Sequence, residues 1–435
     1  MMNQKLFKRG IAAVCAAVTA ASGTAVTAFA DDAAAVAAPP VTVVAIGDDC
    51  LAETNGTSPA NYVAAYLGGT AINDAKIGTT SGQLVNDLSQ DQNLQNDVAS
   101  ADVVLVSVGV NDLIEEVLYE NTDLVDLSTC KTLKDVANGL STDTTKLTAA
   151  NKKLASELPA LVETIAANLE VAVSSIQSLN SSADIVVQTV NNPLGVDYND
   201  KTGILEGVSN NRRAVISYLY NYLDVALVGG EITNILLEPM TIAPENSLNQ
   251  RIRELPGVAA ADFYVPYVGA RGEKAIGFTL SNIFDLNMTF TPVGQVLLAA
   301  AAIQSTNQLA CGSGSVIAEA YAATGEDTTL KSIRASADAI ITSAAANTAV
   351  TYTMGDADAN GSITAADVSL LLTCAAQLGA GMGSSLNPLQ RKAMDADGSG
   401  VLNARDAAVW LSYAAQSGAG LDVDLAEFLK QYQNA

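Results

Sequence analysis

Two twelve-residue loops near the C-terminal end constrain this chain more than any other feature. DADANGSITAAD begins at Asp356 and DADGSGVLNARD at Asp395, so one unit recurs after 39 residues, each copy closing on a matching AAQ and GAG. Oxygen-bearing residues stand at loop positions 1, 3, 5, 9 and 12: Asp356, Asp358, Asn360, Thr364 and Asp367, then Asp395, Asp397, Ser399, Asn403 and Asp406. Backbone carbonyls of Ser362 and Val401 fall at position 7, and Gly361 and Gly400 at position 6 allow the sharp turn. A hard cation such as Ca2+ takes six to eight oxygens, and this spacing wraps a loop around one. Two calcium ions are therefore expected, with Ile363 and Leu402 at position 8 packing the loops together. Each loop ends on Asp rather than Glu, and TAVTYTMG ahead of the first has no helical pattern.

The rest of the chain is read against its charge and its missing residue types. The formal charge is −24 and there is no histidine. A surface so acidic repels phosphate backbones, which argues against nucleic-acid partners. Residues 1–30 carry Lys5, Lys8 and Arg9, an apolar stretch, and AFA at 28–30, the pattern of a signal peptide. A secreted, extracellular protein without a membrane anchor is expected. Four cysteines follow it, Cys50, Cys130, Cys311 and Cys374. Their spacing fits no metal site and neither selects nor excludes a disulfide such as Cys130 with Cys311.

Residues 31–40 read as an Ala/Pro spacer. From Val41, the apolar runs VTVVAIG, ADVVLVSVGVND, ADIVVQTVNNP and AAADFYVPYV alternate with amphipathic stretches, notably 145–179 and 205–227. Buried strands separated by helices predict an α/β fold, a three-layer αβα parallel sheet over 41–310 whose last helix is 291–310. Residues 311–350, rich in Ala, Ser and Thr, read as a linker, and 351–435 as a small all-α calcium-binding domain.

The paired loop-helix units, with Asp at position 12 and no first entering helix, resemble the dockerin module of cellulosomes, a paired F-hand. The resemblance implies calcium-dependent docking onto a cohesin domain of a scaffold protein. It places recognition at Ala365, Ala366, Leu372 and Thr373 in one copy, and Ala404, Arg405, Leu411 and Ser412 in the other.

Residues 41–310 resemble the SGNH (GDSL) hydrolases. AIGDDCL matches the first block, with Asp49 where the nucleophilic serine stands; KIGTTSGQL matches the second at Gly78; Gly109, Val110, Asn111 and Asp112 keep the third. The last block falls in FDLNMTFTPVG, where Asp285 is present but Met288 or Thr289 replaces histidine. A serine hydroxyl needs an imidazole to take its proton and return it to the leaving group, and both are missing here. The resemblance assigns the oxyanion donors to the backbone of Asp49 and Gly78 and the amide of Asn111, and an ionised Asp49 beside them is expected to oppose that charge and to accept a hydrogen bond from Asn111 instead. Cys50 has no imidazole to activate it and should turn away from the cleft. Asn111 and Asp112 also suit capping of the helix that follows them.

Three readings fit these residues. One is a cellulosome component whose front domain is catalytically degenerate and binds a glycan such as plant cell-wall polysaccharide. Another is an active carbohydrate esterase or deacetylase built around Asp49, Asn111 and Asp285. The third is an adhesive or spacer module.

Overall fold

A computed structural model describes residues 35–120, 123–194, 205–264, 288–324 and 335–433, the side chains of 335–337 excepted. Two compact units result. One spans Pro40–Val350, and the other joins residues 35–39 to the chain from Thr351 onward.

The larger unit is built on a five-stranded parallel sheet. Its strands are β1 (Thr42–Gly47), β2 (Thr70–Asn73), β3 (Val103–Ser107), β4 (Asp184–Gln188) and, after a short antiparallel hairpin of β5 (Gly230–Ile232) and β6 (Met240–Ile242), β7 (Ala259–Ala261). The order is β2-β1-β3-β4-β7. Strands β1 and β3 read as unbroken Val, Ile, Ala and Leu because helices cover both their faces. On one side pack Pro59–Leu67, Pro292–Gln304, Gly314–Ala323 and Ala335–Ala345; on the other, Ser81–Gln90, Gln92–Ser100, Asn210–Val228 and the helix Thr144–Leu179. That last helix, at 36 residues, is long enough to cross a bilayer. Its apolar stripe, Leu154, Leu158, Val162, Ile165, Leu169 and Ile176, is instead buried within the unit at helical spacing.

The chain reverses direction across the sheet between β1 and β3, and in open parallel sheets the crevice beyond the strand ends at such a point holds the ligand. Gly47 ends β1 there. Its φ is +115°, and a Cβ would lie 1.8 Å from the Ser107 carbonyl oxygen of the neighbouring strand. Only glycine lets β1 turn this close to β3. The Asp48 N–H then donates to that same Ser107 carbonyl at 2.8 Å.

The expected linker at 311–350 is corrected by the structure. Helices Gly314–Ala323 and Ala335–Ala345 pack on Pro59–Leu67 and Pro292–Gln304 within the α/β unit. Small residues here serve close approach: a Cβ on Gly312 would meet the Tyr66 carbonyl oxygen at 2.3 Å, and one on Gly314 the Ala345 carbonyl oxygen at the same distance. Tyr66 locks the segment, donating to the Leu309 carbonyl at 2.9 Å and accepting from Asn347 Nδ2 at 2.8 Å. Among the described residues Cys50, Cys130, Cys311 and Cys374 are free thiols, so Cys130 and Cys311 are not bridged.

The smaller unit centres on Trp410, fully buried, whose Nε1 donates to the Met394 carbonyl at 2.8 Å. Helices Ala365–Gly379 and Ala404–Gly418 pack against each other, and Pro388–Met394 and Leu425–Gln433 complete the unit. Leu402 lies in its core and Ile363 packs against it. No helix enters the first loop. The expected spacer is also corrected, because its end is not idle: Val36 and Ala38 pack on this core, and the Met354 N–H donates to the Val36 carbonyl at 2.8 Å.

Candidate functional site

Asp48 and Asp49 follow β1 directly and are both buried. Asp49 Oδ2 accepts two hydrogen bonds, from the Gly78 N–H at 2.6 Å and from Asn111 Nδ2 at 2.8 Å. These are two of the three donors expected to hold an oxyanion, and the chain's own carboxylate oxygen takes both. Gly78 reaches Asp49 through a left-handed turn, φ +84°, with open space where a Cβ would be, so its backbone angle rather than crowding calls for glycine. Asn111 Nδ2 is further held by the Thr79 carbonyl at 3.1 Å.

Asp112 does not cap the helix in which it lies. Its carboxylate accepts from the Ser81 N–H at 2.9 Å and the Ser81 hydroxyl at 2.7 Å, at the start of Ser81–Gln90. Asn168, from the long helix, donates to the same hydroxyl at 2.9 Å. The loop carrying Gly78 is thereby pinned to two helices.

Beneath Asp49, Asp48 Oδ1 accepts from the Ser107 hydroxyl at 2.8 Å and the Cys50 N–H at 3.1 Å, while no described group donates to Oδ2. Burial, and then the charge of Asp49, push the Asp48 carboxyl up to about 7. The Cys50 thiol is buried and donates to Asn191 Oδ1 at 3.6 Å. Burial and the two neighbouring aspartates push it well above its ordinary range, which disfavours the thiolate a nucleophile requires. Asp285 lies outside the described residues. Met288 and Thr289, in the place of the histidine, are buried, and neither can serve as a general base near neutrality. Ser107, Ser81 and Asn168 escaped the reading of the sequence; the pairing of Gly47 with Ser107 across β1 and β3 is the signal that would have found the first.

Such a site cannot stabilise a second oxyanion at Gly78 and Asn111 while Asp49 stays seated. Asp48 is the described group here whose proton is held near neutrality, and it lies buried beneath Asp49 with Oδ1 already taken by Ser107 and the Cys50 N–H, away from where a leaving group would need it.

In the smaller unit, carboxylate oxygens of Asp356, Asp358 and Asp367 lie within 4.8 Å of one another, as do those of Asp395, Asp397 and Asp406. Backbone N–H groups aim them. Asn360 and Gly361 donate to Asp356, and Ser399 and Gly400 to Asp395; Asp367 and Asp406, fully buried, each accept from both ends of their loop. Burial pushes the Asp356 and Asp395 carboxyls up, and Asp406 reaches about 6 through burial and the charges of Asp397 and Asp395. Gly361 and Gly400 have φ of +87° and +78°. Three hard oxygens converging in each loop fit a calcium ion. A cation already stands against one set: Arg405 Nε lies 3.3 Å from Asp397 Oδ2. Thr364 and Asn403 also use their side-chain oxygens to cap the following helices. Of the expected recognition residues, Ala365, Ala366, Thr373, Ala404, Arg405, Leu411 and Ser412 are exposed, whereas Leu372 packs against the core.

Fold and site together define a doubly wound α/β unit on a five-stranded parallel sheet, with its carboxylate-filled site at the β1/β3 switch point. No protein-family profile matches the chain, and no curated protein does. Among solved structures it is similar to phospholipase A1 from Streptomyces albidoflavus, at 16% identity over 62% of this chain and 96% of that one, TM-score 0.34. It is also similar to an acetyl xylan esterase variant from Geobacillus stearothermophilus, at 15% identity over 62% and 95%, TM-score 0.31. A lipase from a goat rumen metagenome aligns at 12% identity over 66% and 99%, TM-score 0.30.

Proposed function

We propose that this chain is a secreted, calcium-dependent cellulosome component. Its repeat unit docks onto a scaffold cohesin, and its SGNH-like unit has lost ester hydrolysis and serves to hold plant cell-wall polysaccharide. One observation carries the loss of hydrolysis: Asp49 Oδ2 accepts from both Gly78 and Asn111. Transition-state stabilisation in this kind of site depends on donors left free for the developing negative charge. A carboxylate fixed on those donors leaves them spent and repels that charge. The docking half rests on the two matching loops, their converging carboxylates and the exposed helix faces beside them.

The test is hydrolysis of acetylated xylan and a small aryl acetate by the full chain, beside Asp49→Ala and Asp49→Ser. No turnover by any of the three is expected, with retention of the wild type on insoluble xylan. Turnover by the wild type that Asp49→Ala abolishes would establish a carboxylate nucleophile and overturn this reading in favour of an active carbohydrate esterase. For the repeat unit, calcium-dependent capture by a cohesin domain is expected, and capture unaffected by chelator would count against it.

A further inference from the structure

The two loops share spacing but not surroundings. In the second, both oxygens of Asp397 are engaged: Oδ1 accepts from the Ser399 N–H at 3.0 Å, and Oδ2 faces Arg405 Nε at 3.3 Å. The Asp397 side chain is 5% exposed, against 49% for Arg405. Arg405 is anchored on its far side by Nη2, which donates to the Tyr432 carbonyl at 3.4 Å. In the first loop the position equivalent to Arg405 is Ala366, and Asp358, the counterpart of Asp397, accepts from the Asn360 N–H at 3.2 Å, with no ion pair to it among the described residues.

We infer that Arg405 is a built-in counter-cation of the second loop, which gives that loop the weaker hold on calcium, so that the loops fill in order, first the one beginning at Asp356 and then the one beginning at Asp395. This rests on the calcium reading proposed above. A calcium ion entering the second loop must draw Asp397 Oδ2 away from a positive charge or share it. An ion entering the first loop meets no such competitor. Affinity in loops of this kind follows ligand charge, and a guanidinium on one of three carboxylates subtracts from it. Arg405 is half exposed, so the penalty is the moderate one of a solvent-screened pair, roughly threefold in affinity.

The experiment is calorimetric titration of the full chain with calcium after chelator treatment and dialysis, for wild type, Arg405→Ala and Ala366→Arg. Two binding steps of unequal affinity are expected in the wild type. Arg405→Ala should strengthen the weaker step by roughly threefold and leave the tighter one alone. Ala366→Arg should weaken the tighter step. Two equal steps in the wild type, or a weaker step that Arg405→Ala leaves unmoved, would overturn the inference while leaving the calcium sites standing. Absence of any calcium binding would instead overturn the calcium reading, and this inference with it.

Discussion

Replacing Ala359 with glycine should stabilise the repeat unit by about 0.5–1 kcal/mol. Ala359 sits at position 4 of the first loop with φ +54°, in the left-handed region, whereas the second loop has Gly398 there, at φ +70°. A β-carbon in that region costs about 1–2 kcal/mol, and glycine gives back about 0.5–1 kcal/mol through the greater freedom of the unfolded chain. Ala359 is exposed, so no packing is lost with its methyl group. Trp410 is the only tryptophan in the chain and lies fully buried in the repeat unit, so its fluorescence reports that unit alone during denaturant unfolding of the full protein in excess calcium. The midpoint should rise in Ala359→Gly and fall in Gly398→Ala, the latter by about 1 kcal/mol. A fall in Ala359→Gly would refute the argument, since it would mean that residue 359 carries no left-handed strain for glycine to relieve.

Chelation should shift Trp410 emission and leave the α/β unit folded, because the six clustered aspartates of the loops repel one another without a cation; a fluorescence spectrum indifferent to chelator would contradict this. Gly47→Ala should cost about 3 kcal/mol or more, since its Cβ would fall within bonding distance of the Ser107 oxygen, and a thermal melt within a degree or two of wild type would refute it. The Asp48 carboxyl is raised from 3.8 to about 7, so the folded state holds that proton more tightly than the unfolded state. Its contribution to stability is complete below about pH 4 and is lost as pH rises through about 7. In excess calcium, Asp48→Asn should therefore lose less stability than wild type between pH 5 and pH 8. Equal losses in thermal melts at the two pH values would sink the assignment.

Much of this was legible along the chain, and the remainder fails for identifiable reasons. Strands β1, β3 and β4 are continuous apolar runs, and the helix expected over 145–179 is found at Thr144–Leu179. The loops could be read because their oxygen-bearing positions all lie within twelve consecutive residues. Asp49 could be located, and its hydrogen bond from Asn111 was expected from the family resemblance; the second one, from the Gly78 N–H 29 positions away, depends on the turn between them and is encoded by no local pattern. Capping of its own helix was one role open to Asp112; its actual partner, Ser81, is 31 positions away and no local pattern points to it. Residues 311–350 were misread because alanine and glycine look alike whether they are solvated or chosen to let backbones touch, as Gly312 does beside Tyr66.

The pairing of Val36 with Met354 bears on the order in which the protein can be assembled. The segment at 35–39 leaves the ribosome before the whole α/β unit, yet its partner strand is made only after that unit is complete. If the intervening α/β unit folds first, closing the small unit costs far less loop-closure entropy than it would over an unstructured chain of the same length. A truncated chain beginning at Thr351 would keep both cation loops and still lack Val36 and Ala38 from its core. Its stability, measured alone, would understate that of the same unit in the intact protein.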